Sequence, residues 1–233
     1  MNTYINNDNI IALTTTKNDH YHKTNKDNYL NIDNDYQIKF KDIITPLQAH
    51  TDKLIKVMSK QTIINEECDA LYTTLPDIHI GVLTADCLPL LVHCQNPSII
   101  CAIHAGWVGS SKLITYKSIK YLMEHEHLNP EETTIYLGPS ITLKNYEVQQ
   151  DLVNKIMIHS QFNPQECFIK LKDNKYLYDN IKFNINQLKA LGIKEQNIML
   201  NNRCTYEDDE YYSYRQDQTT NRLLNMIVLK NNI

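Results

Sequence analysis

Apolar residues in this chain fall mostly into short blocks separated by polar and turn-forming residues, and only three stretches carry the spacing of an amphipathic helix. Ile10 to Thr16, the run LQAHTDKLIKV around His50, and Asp69 to Thr74 (DALYTT) read as strands. Residues 89–94 (PLLVHC) and 99–105 (IICAIHA) are apolar and rich in branched side chains, and the four residues between them, Gln95, Asn96, Pro97 and Ser98, are turn formers. A β-hairpin follows. If Cys94 faces Ile99, then Leu91 faces Ala102 and Pro89 faces His104, and continuing the first strand by two residues brings Cys87 to the face of His104. Diagonal neighbours on one face lie roughly 7–8 Å apart, the span of a shared metal. The same register sends Cys94 and Cys101 to the opposite face, and a one-residue slip would reverse every assignment.

The first helical stretch, LITYKSIKYLMEH at 113–125, follows Ser110 or Ser111 as its N-cap. A second develops within 146–160 (YEVQQDLVNKIMIHS), and a third spans Asp179 to Leu191 with Gly192 as its C′ residue. Between them, 133–141 (TTIYLGPSI) is a strand that breaks at Gly138 and Pro139; Ile198 to Asn201 and Leu223 to Leu229 are late strands, and Lys17 to Asp35 is a long polar loop. Strands outnumber helices without alternating with them, which favours an α+β fold over a doubly wound parallel sheet.

Composition narrows the class. The 233 residues, 42% of them hydrophobic, suffice for a full core, and no linker or repeat divides them, so one domain over 1–233 is expected. A net charge of -4 with no Lys/Arg cluster argues against nucleic acid and for a small-molecule partner. The polar N-terminus is no signal peptide and no apolar run approaches the ~20 residues of a membrane span, so a soluble, cytoplasmic protein is expected. Six cysteines without a Cys-x-x-Cys pair read as reduced thiols rather than a zinc ribbon or redox couple.

The chemistry concentrates at TADC (84–87) and HAGW (104–107). Cys87 or His104 alone would be an ordinary core residue, but on one face they supply a thiolate and an imidazole, two donors of an open zinc site. Spacing leaves the third donor among Gln48 and His50 of the upstream QAH, His79 and His93. Asp86 is the nearest acid, placed to orient a ligand or move a proton. The segment Gly106 to Ser111 offers glycines and a helix N-terminus for an anion, with Gly109 and Ser110 as its contacts. His20/His22 and His125/His127 read as exposed polar pairs; a multicopper oxidase needs more such pairs than this chain has.

The strings QAH (48–50), DALYT (69–73), TADCLPLL (84–91), HAGWVG (104–109), LGPSI (137–141), YEV (146–148), CTY (204–206) and YSYRQD (212–217) resemble the YfiH type, or laccase-domain, family, also called multicopper polyphenol oxidases. The resemblance implies a four-layer αββα sandwich and a metal held by His50, Cys87 and His104, which selects His50 among the open alternatives. It implies zinc, with copper possible, and phosphorolysis of adenosine, inosine, guanosine and methylthioadenosine together with adenosine deamination. Arg215 is then a candidate contact for phosphate. Two positions depart from the family: Val108 stands where HAGWRG is usual, and Thr16 where an N-terminal TTR is usual. Two anion-holding arginines are therefore missing, and weak phosphate binding is expected. The alternatives are a metal-free hydrolase in which His104 activates Cys87 against an amide, such as a peptidoglycan precursor, and a non-catalytic binding or scaffold protein.

Overall fold

The structure, a computed structural model, describes residues 1–19, 38 and 42–231. The His20/His22 pair and most of the polar stretch at 17–35 lie outside the described residues. The strands are β1 (Asn2–Asn6), β2 (Ile10–Thr14), β3 (Ile43–Ile44), β4 (Leu54–Lys56), β5 (Ala70–Thr73), β6 (His79–Thr84), β7 (Leu88–Cys94), β8 (Ile99–Ala105), β9 (Thr133–Leu137), β10 (Glu147–Gln149), β11 (Phe168–Lys170), β12 (Lys175–Tyr178), β13 (Ile198–Leu200) and β14 (Leu223–Leu229). The α-helices are α1 (Trp107–Ser111), α2 (Ile114–His125), α3 (Gln150–Met157), α4 (Asn180–Ala190) and α5 (Tyr214–Asp217).

Two mixed sheets, ordered β1-β2-β14-β6-β3 and β13-β9-β7-β8-β5-β4, pack face to face. Between them lie Ile10, Ala12, Ile80, Val82 and Ile227 from the first and Leu71, Leu91, Ile100, Ala102 and Tyr136 from the second. The outer face of the six-stranded sheet, with Leu90, Val92, Cys101 and Ile103, is covered by Ile114, Ile119 and Leu122 of α2 and Leu188 of α4. The fold is α+β, as expected, with helix, sheet and sheet layers in that order. On the far side of the five-stranded sheet, Leu13, Leu224 and Met226 pack with Ile38 and Met1, and no helix among the described residues covers them. A small antiparallel sheet, β10-β12-β11, joins α3 in a satellite core around Phe162, Tyr178 and Phe183.

The hairpin forms in the expected register: Pro89 pairs with His104, Leu91 with Ala102 and Cys94 with Ile99. Cys94 and Cys101 are fully buried on the helix-facing side, away from His104. Both should therefore resist thiol reagents in the native protein and label only on unfolding; rapid labelling of either in folded protein, read by peptide mass spectrometry, would contradict this packing.

The structure corrects three local expectations. The strand around His50 shortens to β4, because His50 takes a left-handed backbone (φ 58°) that no strand tolerates. The N-cap at Ser110 or Ser111 is replaced by Gly106, which caps the one-turn α1, while α2 starts separately after a left-handed Leu113. Strands β1, β3 and β6 and the β10-β12-β11 sheet add to those expected. The third helix ends as expected: Gly192 is left-handed (φ 87°), and Asp179 caps its start by accepting from the Lys182 amide.

Candidate metal centre and its cavity

Two loops and the end of β8 bring His50, Cys87 and His104 together, their donor atoms all within 4.8 Å of one another. Among the described residues this is the only cluster of three or more such donors. His104 stands near the end of β8, and the β5–β8 pairing sets Asp69 beside it: the His104 amide donates to the Asp69 carbonyl at 2.8 Å, and His104 Nδ1 meets Asp69 Oδ1 at 2.7 Å. Nδ1 is thereby occupied, which leaves Nε2 as the donor for a metal.

Asp69 also builds the loop that carries His50. Its carboxylate accepts from the amides of Ala49 (3.2 Å), His50 (3.1 Å) and Thr51 (2.6 Å) and from Thr51 Oγ1 (2.8 Å). Such a ring of donors holds His50 in its left-handed conformation, which costs about 1–3 kcal/mol in isolation. Gln48 fastens the same loop to β6, donating to the Leu83 carbonyl and accepting from the Leu83 amide, so its side chain is structural rather than a third arm of the site. Cys87 follows a second left-handed residue, Asp86 (φ 83°). Asp86 accepts from Thr205 Oγ1 (2.7 Å) and the Arg215 amide (2.6 Å), and its carbonyl accepts from the Ile141 amide. Both carboxylate oxygens are thus engaged in holding the 205 and 215 segments around the site.

Gly106 makes the close approach possible. A Cβ there would lie 2.8 Å from Cys87 Sγ and 3.0 Å from His50 Cδ2. Gly106→Ala is expected to force the two ligands apart, lowering metal affinity at least tenfold while the sheets stay folded; metal titration of the variant beside its melting curve checks this.

Charge favours the same chemistry. Burial alone would raise the Cys87 thiol, but the imidazoles of His104 and His50 bring it down to about 6. Burial alone would depress His104, yet the Cys87 charge and the Asp69 hydrogen bond lift it to about 9. Asp69, which burial would raise, is drawn down to about 2 by hydrogen bonds from His104 and Thr51. Two imidazole nitrogens and a ready thiolate, with an occupied second nitrogen on His104 and room secured by Gly106, fit zinc or copper.

The centre opens into a cavity of about 920 Å³, at the upper end for small-ligand sites. Trp107, Tyr146 and Tyr214 supply aromatic surface, and Asp86, Arg215 and Arg222 polar groups. Asp86 and Arg215, both singled out in the sequence, line this cavity. Gly109 and Ser110 do not line the cavity: both are buried, and Ser110 Oγ accepts from Asn184 of α4. Val108 and Thr16 are also outside its lining. His79 and His93 are half-buried and join no such cluster, and exposed His125 stacks on Tyr121. Asp69, Arg222 and the aromatic walls escape the sequence reading. DALYT contains Asp69, but nothing in its spacing announces a bond to a loop 18–20 residues away.

Fold and site together define an α+β protein with a three-donor centre of metal-binding type. A model of the multi-copper polyphenol oxidoreductase laccase family matches residues 9–230, and the chain belongs to that family. It is 33% identical over 190 residues to a purine nucleoside phosphorylase of Aquifex aeolicus, covering 80% of this chain and 82% of that one. With purine nucleoside phosphorylase YfiH of Escherichia coli it shares 30% identity over 183 residues, 78% of this chain and 72% of the other. The crystal structure of Bacillus licheniformis hypothetical protein YfiH superposes with a TM-score of 0.87 at 24% identity, covering 95% of this chain and 93% of that one. YlmD from Geobacillus stearothermophilus gives 0.85 at 22%, covering 95% and 92%. Both structures support the fold.

Proposed function

We propose that this chain is a zinc-dependent purine nucleoside phosphorylase acting on adenosine, inosine, guanosine and methylthioadenosine, and that the same site deaminates adenosine. The observation that carries the reading is the convergence of His50, Cys87 and His104 on an aromatic-walled cavity large enough to admit a nucleoside. The relatives named purine nucleoside phosphorylase support the substrate class. In phosphorolysis an oxygen of orthophosphate bonds to C1′ of the ribose as the C1′–N9 bond breaks; the purine leaves with the bonding pair and gains a proton. Zinc, when bound, supplies Lewis-acid polarisation of an oxygen ligand.

The chain's own residues position the reactants. Trp107, Tyr146 and Tyr214 offer faces on which a purine stacks. Burial, and then the nearby Cys87 charge, keep the Tyr146 phenol protonated far above neutral pH, so its O–H remains a donor for the base. Asp69 fixes the tautomer of His104 and the fold of the His50 loop. No helix of the described residues is long and apolar enough to cross a membrane, and all six cysteines are free thiols, which supports a reducing cytoplasm. Phosphate-dependent release of hypoxanthine from inosine by zinc-loaded protein tests the proposal.

One observation favours a second reading. The donor atoms of Cys87 and His104 lie within 4.8 Å of each other, and each lowers or raises the other in the direction of a thiolate beside an imidazolium, the pairing of a cysteine hydrolase acting on an amide. Chelator-stripped protein that keeps full activity and loses it on alkylation of Cys87 would select that reading.

A further inference from the structure

We propose that Arg215 and Arg222 together form a phosphate subsite in the wall of the metal cavity; the assignment rests on the phosphorylase reading. Both arginines line the cavity that holds His50, Cys87 and His104, and they reach it from separate segments, α5 and the residue just before β14. Each guanidinium is held by neutral groups alone. Arg215 Nη1 donates to the Glu147 carbonyl at 3.0 Å, and its guanidinium carbon sits 5.4 Å from the Tyr146 ring centre. Arg222 Nη1 donates to the carbonyls of Thr219 (2.9 Å) and Asn221 (2.8 Å).

Neither arginine forms a salt bridge with any described residue. By contrast, Arg203 bonds both Asp208 and Glu210. The carboxylates on the same cavity are Glu67 and Asp86, and both oxygens of Asp86 already accept from Thr205 and the Arg215 amide. No described residue accepts from Nε or Nη2 of either arginine, so that edge keeps its N–H donors, and the fork matches two oxygens of a phosphate. Backbone acceptors on Nη1 orient the planes without neutralising their charge. Two positive forks in a cavity whose aromatic walls suit a purine fit a phosphate dianion, either free orthophosphate or a phosphate ester.

The test is calorimetric titration of zinc-loaded protein with inorganic phosphate and, in a second arm, inosine 5′-monophosphate, using wild type, Arg215→Gln, Arg222→Gln and Arg222→Lys. Each Gln variant is expected to bind phosphate about tenfold more weakly with its zinc content intact, and Arg222→Lys to lose less, since it keeps the charge but not the fork. In the inosine assay the phosphate KM should rise by the same factor while the inosine KM stays put, a split that general loss of structure would not give. Tighter binding of the monophosphate than of orthophosphate, with the same loss in the variants, would assign the subsite to a phosphate ester. Phosphate binding that depends on the arginines in a protein that cleaves no inosine would keep the subsite and remove the phosphorylase reading. Folded, zinc-loaded variants with wild-type phosphate affinity, or a wild type that binds neither ligand, would overturn the subsite. Should the Gln variants not fold, Arg222→Lys with unchanged phosphate affinity would overturn it equally.

Discussion

Cys87→Ala and His104→Ala are each expected to leave a folded protein that no longer retains metal through gel filtration, where the wild type carries about one zinc per chain. Each substitution removes one of three protein donors, and two remaining donors do not hold zinc against buffer. Nucleoside cleavage should fall by roughly a thousandfold, equivalent to about 4 kcal/mol of barrier. His93→Ala is the internal control: His93 stands at the far end of β7, outside the donor cluster, and its replacement should leave metal content unchanged. Elemental analysis of the three proteins decides the matter, and full metal in both Cys87→Ala and His104→Ala would remove the site.

Asp69→Ala should cost the most in stability. Asp69 is fully buried, and its loss strips the acceptor from His104 Nδ1 and from the amides of Ala49, His50 and Thr51. Breaking a buried charge pair of this kind costs about 3–5 kcal/mol, read as a lower midpoint in urea at unchanged slope. Metal affinity should fall about 10–100-fold even in Asp69→Asn, which keeps the shape but not the charge. The pH dependence has a definite sign. Because folding lowers the Asp69 pKa from its ordinary value to about 2, its contribution is complete above about pH 4 and is lost as pH falls toward 2. Metal-free wild type should accordingly lose stability over that window, and metal-free Asp69→Asn should lose less of it; identical acid limbs would contradict the role assigned to Asp69.

Legibility in the sequence followed local regularity. The β7–β8 register was readable because a turn of four polar residues separates two apolar blocks, and the buried face allows one alignment. The end of the third helix was readable because Gly192 is the residue type a left-handed terminus needs. The pairing of Cys87 with His104 followed from that register, although Cys87 itself lies in a bend before β7 rather than on the strand. What escaped is what breaks local rules. A left-handed His50 ended a strand that the apolar pattern supported, and it is held there by a carboxylate 19 residues on. His50 as third ligand came from family resemblance, because by spacing alone His79 and His93 are closer in sequence and His50 is the weaker choice. The anion contacts expected at Gly109 and Ser110 rested on a helix start at Ser110 or Ser111; with Gly106 as the cap, both residues are buried, and Ser110 bonds Asn184 of α4. Arg222, a lone basic residue ahead of a strand, has no sequence signal at all, and only the cavity reveals it.

The central claim is that the centre formed by His50, Cys87 and His104 cleaves purine nucleosides with phosphate. Its most direct test is product analysis of inosine incubated with zinc-loaded protein, with and without orthophosphate, by chromatography that separates hypoxanthine, ribose and ribose 1-phosphate. Hypoxanthine and ribose 1-phosphate should appear in equal amounts with phosphate present, in wild type and not in Cys87→Ala. Release of free ribose at the same rate without phosphate, or no cleavage by folded, zinc-loaded protein, would contradict it.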